Sequence, residues 1–114
     1  MAQFRLNLVE GSVAFSFTPE AAQELKGAIA SLMESLKVVA THGAAGGKPV
    51  PQQAMEYQHI GDVFLELFCN PNIWSSPFSA KVLVTVRDDR IRLSTEAELT
   101  RLIEDLNLYL DQMS

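Results

Sequence analysis

Cysteine, histidine, basic charge and long apolar runs are all scarce in this chain. One cysteine, Cys69, stands among 114 residues. It rules out an intramolecular disulfide and points to a reducing compartment. The histidines are His42 and His59, too few with one thiol for the tetrahedral ligand set of structural zinc. No apolar run approaches the ~20 residues needed to span a bilayer. The N-terminal stretch MAQFRLNLVEGS is broken by polar residues too often to be the core of a signal peptide. Nine Lys and Arg against fourteen Asp and Glu leave a net charge of −5, which favours solubility and opposes indiscriminate nucleic-acid binding. These absences leave a soluble, cytosolic protein as the expectation, with no membrane segment, metal or cofactor.

What is present suits a globular fold. Apolar residues make up 47% of the chain and charged residues 20%, unlike a disordered segment. A chain of this length suits one domain spanning residues 1–114 and buries roughly two-thirds of its unfolded surface.

The segment QFRLNLVEGSVAFSFT reads as a β-hairpin, with Gly11-Ser12 placed to make a type II′ turn. That pairing puts Phe4, Leu6, Leu8, Val13, Phe15 and Phe17 on one face, and Arg5, Asn7, Val9, Ala14, Ser16 and Thr18 on the other. A helix follows, with Thr18 as N-cap and Pro19 at its first position. Its apolar stripe is Ala22, Leu25, Ile29, Leu32 and Leu36. A second hairpin, KVLVTVRDDRIRLS, turns at Asp88-Asp89. Val82, Val84, Val86, Ile91 and Leu93 share one side; Lys81, Leu83, Thr85, Arg87, Arg90, Arg92 and Ser94 share the other. Thr95 and Glu98 are spaced as the capping box of a final helix, striped by Leu99, Leu102, Ile103, Leu106 and Leu110.

The chain thus holds two hairpin–helix units, 2–39 and 80–113, joined by a flexible loop at 40–53 and a middle segment at 54–79. Their simplest packing is α+β: an antiparallel sheet built from the two hairpins, with helices on one face. The middle segment fits either a helix or a fifth strand near 62–69. The strand is preferred because DVFLELFC would give the hairpins a shared partner, and Asn70-Pro71 ends it.

Motifs with chemical content are few. THGAAGGKPVPQQ superficially suggests a phosphate-binding loop, G-x-x-x-x-G-K-[ST]. His42 stands where the first glycine belongs, and Pro49 replaces the hydroxyl residue and removes a backbone donor. The stretch also follows a helix rather than a strand, so it reads as a linker. Asp62 and Glu66 would share a face if their segment were helical, an ordinary polar arrangement. Cys69 and His59 are the candidate nucleophile and base of an enzyme, although Cys69 ends an apolar run, where inert thiols are common.

The outer sheet face carries more information. On the expected register it displays Arg5, Lys81, Arg87, Arg90 and Arg92, with no acid outside the Asp88-Asp89 turn and no aromatic ring. The acids Glu20, Glu24 and Glu34 fall on the first helix, and Glu96, Glu98, Glu104, Asp105 and Asp111 on the second. A basic sheet over acidic helices would steer an acidic partner to the sheet. Trp74 and Phe78, in the connection IWSSPF, form a second candidate docking element unless both rings fold onto the core.

The leading expectation is a non-enzymatic protein-interaction module, an adaptor, assembly or regulatory protein, using the arginine face, the Trp74–Phe78 loop, or both. The alternatives are a nucleic-acid binder using the same arginines, and a small enzyme using Cys69 and His59. A homodimer fits, though not one that stacks two basic faces.

Overall fold

A computed structural model describes residues 3–45 and 50–113. In chain order the elements are β1 (Gln3–Asn7), β2 (Ser12–Ser16), α1 (Pro19–Ala45), β3 (Met55–Ile60), β4 (Phe64–Cys69), β5 (Lys81–Arg87), β6 (Arg92–Glu98) and α2 (Leu99–Met113). A short 3₁₀ turn, Pro71–Ile73, follows β4. The α+β class stands: all strands pair antiparallel and the helices pack against the sheet. The strands form two sheets, however. β1 and β2 pair with each other, and β3-β4-β5-β6 make a four-stranded meander.

The expected turns are both displaced, for local reasons. The first hairpin reverses over Val9–Glu10, with the Leu8 N–H donating to the Gly11 carbonyl at 2.9 Å. Gly11 uses its freedom after the central pair, at φ +86°. Leu6 therefore faces Val13, and Phe4 faces Phe15. The second hairpin reverses over Asp89–Arg90. Asp88 Oδ1 accepts from the N–H groups of Arg90 and Ile91, at 2.8 and 2.9 Å, the side-chain turn that Asp favours. Val86 then pairs with Leu93, and Arg87 with Arg92. Both shifts are by an even number of residues, so the strand residues keep their expected faces.

The shift lengthens β6 through Glu98. Thr95 pairs with Val84 and Glu98 with Lys81, so these two residues build a strand rather than a capping box. α2 begins at Leu99, whose N–H donates to the Ala80 carbonyl at 3.0 Å. At the other helix Thr18 caps as expected: its Oγ1 accepts from the Ala21 N–H at 3.1 Å. α1 runs on through Ala45, so the expected loop at 40–53 begins later; residues 46–49 lie outside those described. The preferred fifth strand is β4. Its partner β3, from Met55, was not anticipated, and β4 joins β3 to β5 rather than to the first hairpin.

Alternation along the meander separates two faces. Met55, Tyr57, Leu65, Leu67, Cys69, Val82, Val84, Val86 and Ala97 point inward and are buried. Leu25, Leu32 and Leu36 from α1 and Leu99, Leu102 and Leu106 from α2 join them in one apolar cluster. The first hairpin adds Phe4, Phe15 and Phe17, whose rings contact one another; Phe4 and Phe17 also meet Tyr109. Phenol groups fasten this core to backbone. Tyr57 donates to the Ala21 carbonyl at 3.1 Å and Tyr109 to the Phe17 carbonyl at 2.8 Å.

Besides the Tyr109 contacts, the hairpin reaches α2 through a buried carboxylate. Asp105 accepts from the Asn7 backbone N–H and from Asn7 Nδ2, both at 2.8 Å. Arg101 lies 3.5 Å away but is half-exposed, so its contribution is small. Replacing Asp105 by Ala leaves two donors without their acceptor. The expected loss is about 2–4 kcal/mol, read in urea unfolding, with Asp105→Asn losing less.

Burial, and secondarily the Glu24 carboxylate, push the Tyr57 hydroxyl from its ordinary 10.0 up to about 12. The folded chain holds this proton more tightly than the unfolded chain. Its stabilisation is therefore complete below pH 10 and disappears as pH rises toward 12. Tyr57→Phe should cost about 1 kcal/mol at neutral pH and flatten the alkaline fall in stability. Thermal melts across that range read both effects.

Candidate functional site

The outward side of the meander lies in register rows. Nearest the β3–β4 and β5–β6 turns, Ile60, Phe64, Arg87 and Arg92 lie side by side. Next come Gln58, Glu66, Thr85 and Ser94, then Glu56, Phe68, Leu83 and Glu96. Lys81 and Glu98 pair beyond these. Ile60 is 82% exposed and Leu83 47%, while Phe64 and Phe68 are half-buried between their neighbours. The Arg87 guanidinium lies over the Phe64 ring, 4.3 Å from its centroid, a cation–π contact. Gln58 Nε2 donates to Glu66 at 2.9 Å, and the Thr85 and Ser94 hydroxyls lie 3.4 Å apart.

This arrangement corrects the expected basic face. Arg87 and Arg92 are cross-strand neighbours, but Arg90 sits in the turn beside them and Lys81 lies at the far end of β5. Arg5 belongs to the other sheet, where it pairs with Ala14 and its Nη1 donates to Ser12 Oγ at 3.3 Å. Acids share the face: Glu96 and Glu98 belong to β6 rather than to a helix, and Glu56 and Glu66 arrive with β3 and β4. Two aromatic rings share it as well. The surface has an apolar pair, Ile60–Phe64, beside the arginines and a second, Phe68–Leu83, between Glu56 and Glu96, with a polar row that includes Glu66 between the pairs.

The connection between β4 and β5 extends this band. Trp74 is half-buried and packs against the core, whereas Phe78 is 84% exposed and Ile73 67%. Ile73 and Trp74 join Phe68, Lys81, Leu83 and Glu96 around a shallow cleft of about 200 Å³. Asn70 and Asn72 stiffen its rim. Asn70 Oδ1 accepts from the Asn72 N–H at 3.0 Å, and Asn72 exchanges two 2.8 Å bonds with the backbone of Gln52.

The candidate catalytic pair does not assemble. His59 pairs with Leu65 and Cys69 with Met55, four ladder positions or roughly 13 Å apart. Tyr57 and Leu67 stand between them. His59 instead meets the edge of Phe17, ring centroids 4.9 Å apart. Cys69 is 1% exposed. Burial raises its pKa above the ordinary 9.0, and a contact from Trp74 opposes the shift only in part. Asp62 lies in the β3–β4 turn and Glu66 in a strand, so they share no helical face. His42 falls in α1, with its side chain outside those described. Among the described residues no group of three or more His, Cys, Asp or Glu could hold a metal ion, and no helix is long and apolar enough to cross a membrane.

The remaining clefts give no site. One between α1 and α2, about 280 Å³, is lined by Ile29, Met33, Ile103 and Leu106; one beside β3, about 250 Å³, by Ala28, Ser31 and Ser35 among others. Both fall short of the ~300–1,000 Å³ usual for small-molecule pockets, and two further clefts, about 300 Å³ at Asn7, Leu8, Glu98 and Arg101 and about 240 Å³ at Gln3, Arg5 and Gln112 among others, reach at most the lower end of that range. Comparisons with family models, curated proteins and solved structures found no match for the chain.

At pH 7.5 the native Cys69 thiol should alkylate at least about 100-fold more slowly than in the urea-unfolded chain. Iodoacetamide labelling followed by intact mass measures this. Rapid modification of the native protein would restore the thiol as a candidate nucleophile.

Proposed function

We propose that this chain is a non-enzymatic protein-docking module whose binding surface is the outward side of the β3–β6 sheet. The supporting observation is two apolar pairs on that side, Ile60–Phe64 beside Arg87 and Arg92 and Phe68–Leu83 between Glu56 and Glu96, with Ile60 and Leu83 exposed, both rings half-buried and the polar row of Gln58, Glu66, Thr85 and Ser94 between the pairs. Exposed large apolar side chains set among charged ones are enriched at interaction sites. Ile73, beside Leu83 on the cleft, enlarges the apolar area, and the charge difference between the arginine and glutamate rows would set a partner's orientation. A cytosolic adaptor, assembly or regulatory role fits such a surface.

A nucleic-acid reading draws on Arg87 stacked over Phe64, with Arg92 and Arg90 close by. Bases stack on such platforms. The four glutamates on the same face repel phosphates, however, so the protein-docking reading is preferred. An enzyme built on Cys69 and His59 has neither an exposed thiol nor a base beside it.

A photo-crosslinking amino acid at position 83 tests this in host cells, with position 34, on the exposed side of α1, as control. Ultraviolet-dependent, nuclease-resistant protein adducts at 83 but not at 34 are expected. Nuclease-sensitive adducts at 83 would favour nucleic acid, and adducts no stronger at 83 than at 34 would refute the docking surface.

A further inference from the structure

We infer that the occupant of this sheet face is a second copy of the chain, laid face to face with its strands running in the opposite direction. The inference rests on the outward face being a protein-docking surface, and it names the partner.

The charge pattern selects the geometry. Stacking two sheets about a two-fold axis parallel to the strands would put Arg87 and Arg92 of both copies at the same end. A two-fold axis running across the strands reverses one copy end to end, as isologous pairing allows. Each β6 then faces the other β6 in opposite direction, and Arg92 of one copy lies over Glu96 of the second copy, twice by symmetry. Phe64 lies over the second copy's Phe68, and Arg87 over its Leu83. Ile60, 82% exposed at the turn end, lies over the second copy's Glu56.

The area suits an exchanging dimer. Four strands ~4.8 Å apart, two of six and two of seven residues at ~3.4 Å, give a footprint of roughly 19 by 20–24 Å. The flanking connection brings the buried area toward the ~800 Å² per partner of ordinary interfaces. Dissociation is therefore expected in the micromolar range. Two contacts oppose pairing: the row on the axis contains Glu66, which meets its own counterpart, and Glu56 is set against the second copy's apolar Ile60.

Sedimentation velocity from about 1 to about 300 µM, near the expected dissociation constant, tests the inference. The chain is compared with Arg87→Glu/Arg92→Glu and with Glu96→Arg/Glu98→Arg. All four positions are exposed, and thermal melts check that the variants fold. Each variant alone should dimerise at least about tenfold more weakly. Their equimolar mixture should recover the original affinity, because positions 92 and 96, which face each other across the axis, then carry opposite charges at both contacts. Glu66→Gln should tighten the dimer a few-fold. A chain monomeric throughout the range, or variants that dimerise like the original, would overturn the inference. If the chain is monomeric while position 83 still crosslinks a different protein, the docking surface stands and its occupant is another molecule.

Discussion

Asp105 is the polar contact on which the assembly of the fold depends. Among the described residues the β1–β2 hairpin shares no strand ladder with the meander. A single backbone bond, from the Val9 N–H to the Glu96 carbonyl at 3.0 Å, joins its turn to β6. Asp105 secures the end of β1 to α2 with two charge-assisted hydrogen bonds, and these are stronger than neutral ones. Phe4 and Phe17 are thereby set against Tyr109, and the Tyr109 hydroxyl reaches the Phe17 carbonyl. Helices and hairpin together bury the inward side chains of the meander in one apolar cluster. Its outward side keeps Ile60 and Leu83 exposed.

Burial in this fold separates structural from accessible chemistry. Cys69 and Tyr57 are the groups that a search for reactive side chains would select, and both point inward. Their pKa values rise because the core penalises the charged forms, which keeps the phenol a donor to Ala21 and the thiol protonated. The surface that remains accessible offers shape, apolar area and opposed charge rather than a nucleophile.

Much of this architecture was legible in the sequence, because alternation and helical spacing are robust to small errors. Phe4, Leu6, Phe15 and Phe17 alternate whichever turn is chosen, so their common face survived a displaced turn. Asp88 carried a readable sign of the true second turn, since Asp at the first turn position bonds the following N–H groups. The end of β6 was harder to see. Thr95 and Ala97 fill inward positions with small side chains, and Thr95-x-x-Glu98 imitates a helix cap. That one boundary moved Glu96 and Glu98 from a supposed helix onto the sheet and changed a basic face into a bipolar one. The aromatic part of the site was hidden for a different reason: Phe64 and Phe68 join the arginines only through β4–β5 pairing, which no local pattern specifies.

The proposed docking role of the sheet face is tested most directly by carbene footprinting of the protein in host-cell extract, against the purified protein at high dilution. Protection should concentrate on Ile60, Phe64, Phe68 and Leu83, while the exposed positions Lys26 and Glu34 on α1 label equally in both samples. Equal labelling of the sheet face in the two samples, or protection confined to the helices, would contradict the assignment of function to this face.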